Sequence, residues 1–131
     1  MAIPSGSGTE VLKNGVIKTN STWTYIRWDE RITASGNASG TGTTAVPANC
    51  IITILNMTVN NTHSSALDFA LRANVGSTDS VYIMNHAGTS IEPYKTFVFS
   101  DKFVLSPDNE LQVYSSQNAD IYFSYIYQDW T

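Results

Sequence analysis

The sequence predicts an all-β domain, a single antiparallel β-sandwich of about eight strands with an extended N-terminal arm. Three observations carry the prediction. Period-two alternation recurs along the chain, no segment sustains a 3.6-residue period, and clusters of Gly, Pro, Asn and Ser punctuate the apolar runs. A length of 131 residues suits one domain, because two cores in so short a chain would each be marginal.

Taken in order, residues 1–9 read as the arm. Pro4 and two glycines stand among small residues in Met1-Ala-Ile-Pro-Ser-Gly-Ser-Gly, a composition with little intrinsic structure. The sandwich then spans 10–131. Strand-like runs follow at Glu10 to Lys18 and Trp23 to Ile32, and a Ser/Gly/Thr-rich stretch at 33–48 predicts a long loop projecting from one end. From Asn49 to Asn61, Ile51, Leu55, Met57 and Val59 share one parity with Thr53. Ile52 and Ile54 lie on the other, predicting that one end of this strand is covered on both sides. The cleanest strand sets Leu67, Phe69, Leu71, Ala73 and Val75 against Asp68, Ala70, Arg72 and Asn74. Further runs lie at Ser80 to Asn85, Thr96 to Leu105, Glu110 to Tyr114 and Asp120 to Tyr127.

Turn signals separate these runs: Asn14-Gly15, Val75-Gly76-Ser77, Ala87-Gly88-Thr89 and Ser106-Pro107-Asp108-Asn109. Short antiparallel strands in this number predict jelly-roll or immunoglobulin-like connectivity, with a closed barrel as the alternative. The last strand stands apart. Ile121, Phe123, Tyr125 and Tyr127 face one way, Tyr122, Ser124 and Ile126 the other, and Trp130 follows. Two large faces mean either a central strand covered on both sides or an outer aromatic face buried against another subunit.

Only 14% of the residues are charged, against the roughly 25% of ordinary soluble domains. Much of the polar surface is therefore uncharged Ser, Thr, Asn and Gly, which is cheaper to desolvate than Lys or Glu and suits burial against partner chains. A net charge of −4 with seven scattered basic residues argues against nucleic-acid binding. No apolar run approaches the ~18 residues of a membrane span, and the opening lacks a basic and apolar export signal, which predicts synthesis in a cytoplasm. The sequons at Asn20, Asn37, Asn56 and Asn60 are then chance products of an Asn/Ser/Thr-rich chain.

Residues fit for catalysis are sparse. His63 and His86 have no second ligand at metal-site spacing, and the lone Cys50, beside Ile51 and Ile52, reads as a small apolar residue. There is no G-x-S-x-G elbow. The G-x-G pairs at Gly6 to Gly8 and Gly40 to Gly42 open no helix, and Asp29 and Glu30 would point to opposite faces of a strand. The expectation is a protein that is not an enzyme and has no cofactor, metal or small-molecule substrate. Trp23, Tyr25 and Trp28 fit either a sugar-stacking platform or core and interface packing.

Four segments bear a resemblance: Met1-Ala-Ile-Pro-Ser-Gly-Ser-Gly-Thr-Glu-Val-Leu-Lys, Ile51-Ile-Thr-Ile-Leu-Asn-Met-Thr-Val-Asn-Asn, Thr96-Phe-Val-Phe-Ser-Asp-Lys-Phe-Val-Leu and Ser124-Tyr-Ile-Tyr-Gln-Asp-Trp-Thr. Together they make the chain resemble small β-sandwich virion proteins of tailed phages, particularly those of cyanobacteria and other marine hosts. The resemblance implies a head decoration or cement protein on the outer surface of the capsid, bound to the major capsid protein and to copies of itself, often as a homotrimer. A neck, tail or fibre-joining component, or a carbohydrate-binding module, are the alternatives. The candidate contacts are Ile3 and Pro4 in the arm, Trp23, Tyr25 and Trp28, and Tyr122, Tyr125, Tyr127 and Trp130 at the C-terminal end.

Overall fold

In the computed structural model, the structure describes residues 8–19, 21, 23–28, 43–75, 79–84 and 90–130. These form ten strands and no helix. They are β1 (Thr9–Thr19), β2 (Thr24–Tyr25), β3 (Cys50–Asn61), β4 (Leu67–Val75), β5 (Asp79–Met84), β6 (Ser90–Ile91), β7 (Thr96–Phe99), β8 (Phe103–Leu105), β9 (Glu110–Ser115) and β10 (Ala119–Asp129). Two antiparallel sheets result, one ordered β1-β10-β3-β7 with β8 also on β3, the other β2-β9-β4-β5 with β6 also on β4.

The excess over eight strands comes from two interruptions. β7 and β8 lie end to end along β3, pairing Met57 with Phe99 and Ile54 with Phe103, while β5 and β6 lie end to end along β4. Counted by position there are eight, and the first pairs with the last, the second with the seventh, the third with the sixth and the fourth with the fifth. That is one long hairpin rolled into two sheets, the jelly-roll arrangement, rather than an immunoglobulin-like one or a closed barrel.

Side chains from both sheets fill the core. Ile17, Ile52, Ile54, Met57, Val59, Ile121 and Phe123 descend from the first sheet, and Leu67, Phe69, Leu71, Leu111 and Val113 meet them from the second. Trp28 is fully buried beside them, edge-on to Phe123 at 6.4 Å and to Tyr125 at 5.3 Å between ring centroids. Its indole N–H donates to the Thr44 carbonyl at 3.0 Å, so the one polar atom of a large apolar group is satisfied.

The parity of β3 has a different cause from the one its sequence suggests. Leu55 is the extra residue of a β-bulge, since Ser124 faces Asn56 and Tyr125 faces Ile54. The bulge switches the inward parity, so Ile52 and Ile54 face the core before it and Met57 and Val59 after it. No second cover at one end is needed.

Asn14-Gly15 is likewise no turn. Both residues lie inside β1, paired with Ser124 and Phe123. Ser106–Asn109 does turn, with the Asn109 N–H donating to the Ser106 carbonyl at 3.1 Å and Asp108 at φ 69°. Most of the arm and of the 33–48 loop, and the Val75-Gly76-Ser77 and Ala87-Gly88-Thr89 turns beyond Val75, lie outside the described residues.

Candidate interaction surfaces

Each sheet has an outer face, and the two differ in chemistry. On the first sheet the register sets side chains of four strands in rows. One row runs Val16, Tyr122, Thr58, Val98, and another runs Leu12, Ile126, Thr53, Val104. Between them lie Asn14, Ser124 and Asn56. Leu12, Val98, Val104 and Tyr122 are 70%, 59%, 56% and 47% exposed.

Along β1, β10 and β3, charge on this face is confined to the ends, and on the fourth position Asp101 and Lys102 are exposed at the break between β7 and β8. At one end Lys18 bridges to Asp120 at 2.8 Å, next to a Thr96–Asn60 side-chain hydrogen bond. At the other the Gln128 amide donates to Glu10 at 2.9 Å. An aliphatic and hydroxyl-bearing field with charge only at its rims has the make-up of an interface centre.

The second sheet's outer face is aromatic, with Tyr25 and Tyr82 37% and 44% exposed. Trp23 lies next to Tyr114 at 5.4 Å and Tyr82 at 6.0 Å between centroids, and the Arg72 guanidinium sits 3.8 Å from the indole centroid. The Arg72 Nε–H also donates to Gln112 Oε1 at 2.8 Å, and Gln112 is buried beneath. An arginine stacked on a tryptophan and hydrogen-bonded to a neighbouring amide covers Gln112.

The residues marked out from sequence are scattered by this arrangement. Ile3, Pro4, Asp29, Glu30, Arg31 and His86 lie outside the described residues. Trp28 and Tyr125 are core residues, buried by the opposite sheet, and so are no contact surface of the folded chain. Tyr127 is half-buried, its hydroxyl 3.4 Å from Cys50 Sγ and its ring 4.6 Å from Lys13 Nζ. Trp130 packs over Gly8, where an added Cβ would stand 2.8 Å from the indole ring, and its backbone N–H donates to the Asn49 carbonyl at 3.0 Å. Among the described candidates only Tyr25 and Tyr122 are substantially exposed, one on each face.

β10 is central in its sheet, between β1 and β3, with one face on the core and the other open. Among the described residues no three His, Cys, Asp or Glu side chains come together. His63 instead organises a turn, its Nδ1 accepting from the Ser65 N–H at 3.1 Å while its own N–H donates to Asn61 Oδ1 at 2.9 Å.

No protein-family model matches the chain, and no curated protein is similar to it. The surfaces therefore speak through their own chemistry. Sequence reasoning missed Leu12, Val98 and Val104 because the exposed rows are assembled from four strands distant in sequence. It also missed the Trp23–Arg72 stack, whose signal, an arginine amid the alternation of β4, reads as an ordinary solvent-side charge.

Proposed function

We propose that this chain is a non-enzymatic structural protein of a tailed-phage particle. Its most fitting role is a head decoration protein that seats the outer face of its first sheet on the capsid shell. The observation that carries this reading is that face, with its two aliphatic and hydroxyl rows and charge only at its ends and along its β7–β8 edge. Strands of 11 residues across four positions give a footprint of about 700 Å², from ~3.3 Å per residue and ~4.8 Å per strand. A standard interface buries about 800 Å² per partner.

Two further lines support it. The resemblance of the four segments favours a tailed-phage particle, and the jelly roll is an architecture of viral capsid and lectin domains, which is an argument from fold alone. A sugar platform built on Trp23, Tyr25 and Trp28 is disfavoured, because Trp28 is in the core and Trp23 is stacked on Arg72.

The test is the position and copy number of the chain in intact virions by cryo-electron microscopy, together with Tyr122→Asp and Val98→Asp variants. Hundreds of copies at capsid symmetry positions, lost in variants that remain folded, are expected. A single ring at the portal or tail would move the protein to the neck or tail, and absence from the particle would overturn the reading.

A further inference from the structure

Among the described residues β1 is the edge strand of the first sheet, unpaired on one side, and that edge differs from the others. It runs 11 residues, Thr9–Thr19, paired to β10 in continuous register with no bulge and no proline. Among the described residues the remaining edges are short or interrupted: β2 has two residues, and β5 with β6 and β7 with β8 are broken. Proteins usually guard a long edge with charge, proline or a bulge. Here the three charged side chains of β1 each have a partner on β10. Glu10 accepts from Gln128, Lys18 bridges to Asp120, and Lys13 lies over the Tyr127 ring, all on β10.

The strand is also complementary to its own antiparallel copy. About a two-fold axis through Asn14, Thr9 meets Thr19, so the whole strand pairs without overhang. Glu10 then faces Lys18 of the second copy, Leu12 faces Val16, Val11 faces Ile17, and Lys13 faces Gly15. Each pair shares a face, as antiparallel strands require. Any shift of the axis by one residue loses both Glu–Lys pairs, and like charges directly opposite destabilise a ladder.

We propose that β1 pairs antiparallel with β1 of a second copy about this axis, joining two first sheets into one continuous sheet. About ten backbone hydrogen bonds would form along the paired strands. The inference deepens the assembly reading above by naming a partner for the edge, and it gives a two-fold pair rather than the trimer that the resemblance implies. The outer faces of both copies stay on the same side of the joined sheet, so the pair presents one doubled surface to a shell.

Sedimentation of the full chain at about 50 μM tests it, a concentration that populates any dimer of micromolar affinity. A dimer is expected. Glu10→Lys and Lys18→Glu should each weaken it about tenfold, through two like-charge contacts per dimer, and combining them should recover most of the loss. Cysteine substitutions check the register. Asn14→Cys should cross-link to itself under oxidation, whereas Leu12→Cys and Val16→Cys should cross-link only when mixed. A monomer at that concentration, or self-cross-linking through Leu12→Cys, overturns the pairing. Either result leaves the virion reading to be decided by copy number in the particle.

Discussion

The Phe123 ring lies over Gly15, its direct partner across the β1–β10 pair, and occupies the space that a side chain at residue 15 would fill. Both residues are buried, so the ring is part of the core while the glycine is the floor beneath it. A glycine within a strand marks such close approaches. Gly15→Ala should therefore cost about 1–3 kcal/mol by forcing the ring off its rotamer. Chemical denaturation would measure it, and adding Phe123→Leu should give back part of the loss. Simple addition of the two single losses would mean that ring and glycine are not coupled.

Asn61 ties two connections to the end of β3. Its buried amide donates to the carbonyls of Ser65 at 2.8 Å and of Ile91 and Glu92 at 3.1 Å, and its oxygen accepts from the His63 N–H. Asn61→Ala strands these groups where water reaches them poorly, which should lower stability by about 1–3 kcal/mol. Amide exchange should speed up at His63 above all, since its N–H loses its acceptor. Unchanged protection there would count against the hub.

Arg72 and Trp23 supply an optical readout. Replacing Arg72 by Lys keeps the charge but loses the planar stack and the Nε–H bond to Gln112. The expected result is a red shift of tryptophan emission and a stability loss of about 1 kcal/mol. In a Trp23→Phe background the shift should vanish. Its persistence would place the change at another tryptophan.

Tyr94 holds a φ of 58° in the turn between β6 and β7, and its side chain is 71% exposed. Left-handed backbone costs an L-residue roughly 1–2 kcal/mol, while glycine adds up to about 1 kcal/mol of unfolded-chain entropy. Tyr94→Gly should thus stabilise the fold by about 0.5 kcal/mol, read as a higher denaturation midpoint. A lower midpoint would show that the exposed ring contributes more than the backbone strain costs.

Much of the fold is legible in the sequence because alternation is a local signal. β4 shows it most clearly: Leu67, Phe69, Leu71 and Ala73 are buried as their parity requires, while Val75 at the end is exposed and Ala70 on the other parity is covered as well. Interruptions are harder to see, since Ser100 to Lys102 break the ladder between Phe99 and Phe103 without a proline or glycine to announce it. The candidate surfaces were less legible still. Aromatic content drew attention to Trp28 and Tyr125, which are core, while Leu12 and Val104 look like core residues and are exposed.

By itself, the sequence determined that this protein is all-β, where its main strands lie, and which parity of each regular strand turns inward. These follow from the two-residue repeat of an extended chain and from turn chemistry, both readable within a few residues. Only the tertiary structure decided that the hairpin rolls into a jelly roll, that a bulge at Leu55 reverses the parity of β3, and that one outward face is aliphatic while the other stacks Trp23 on Arg72. Alternation says that one face of a strand is covered. What covers it depends on strands brought together from across the whole chain, and no local pattern records that.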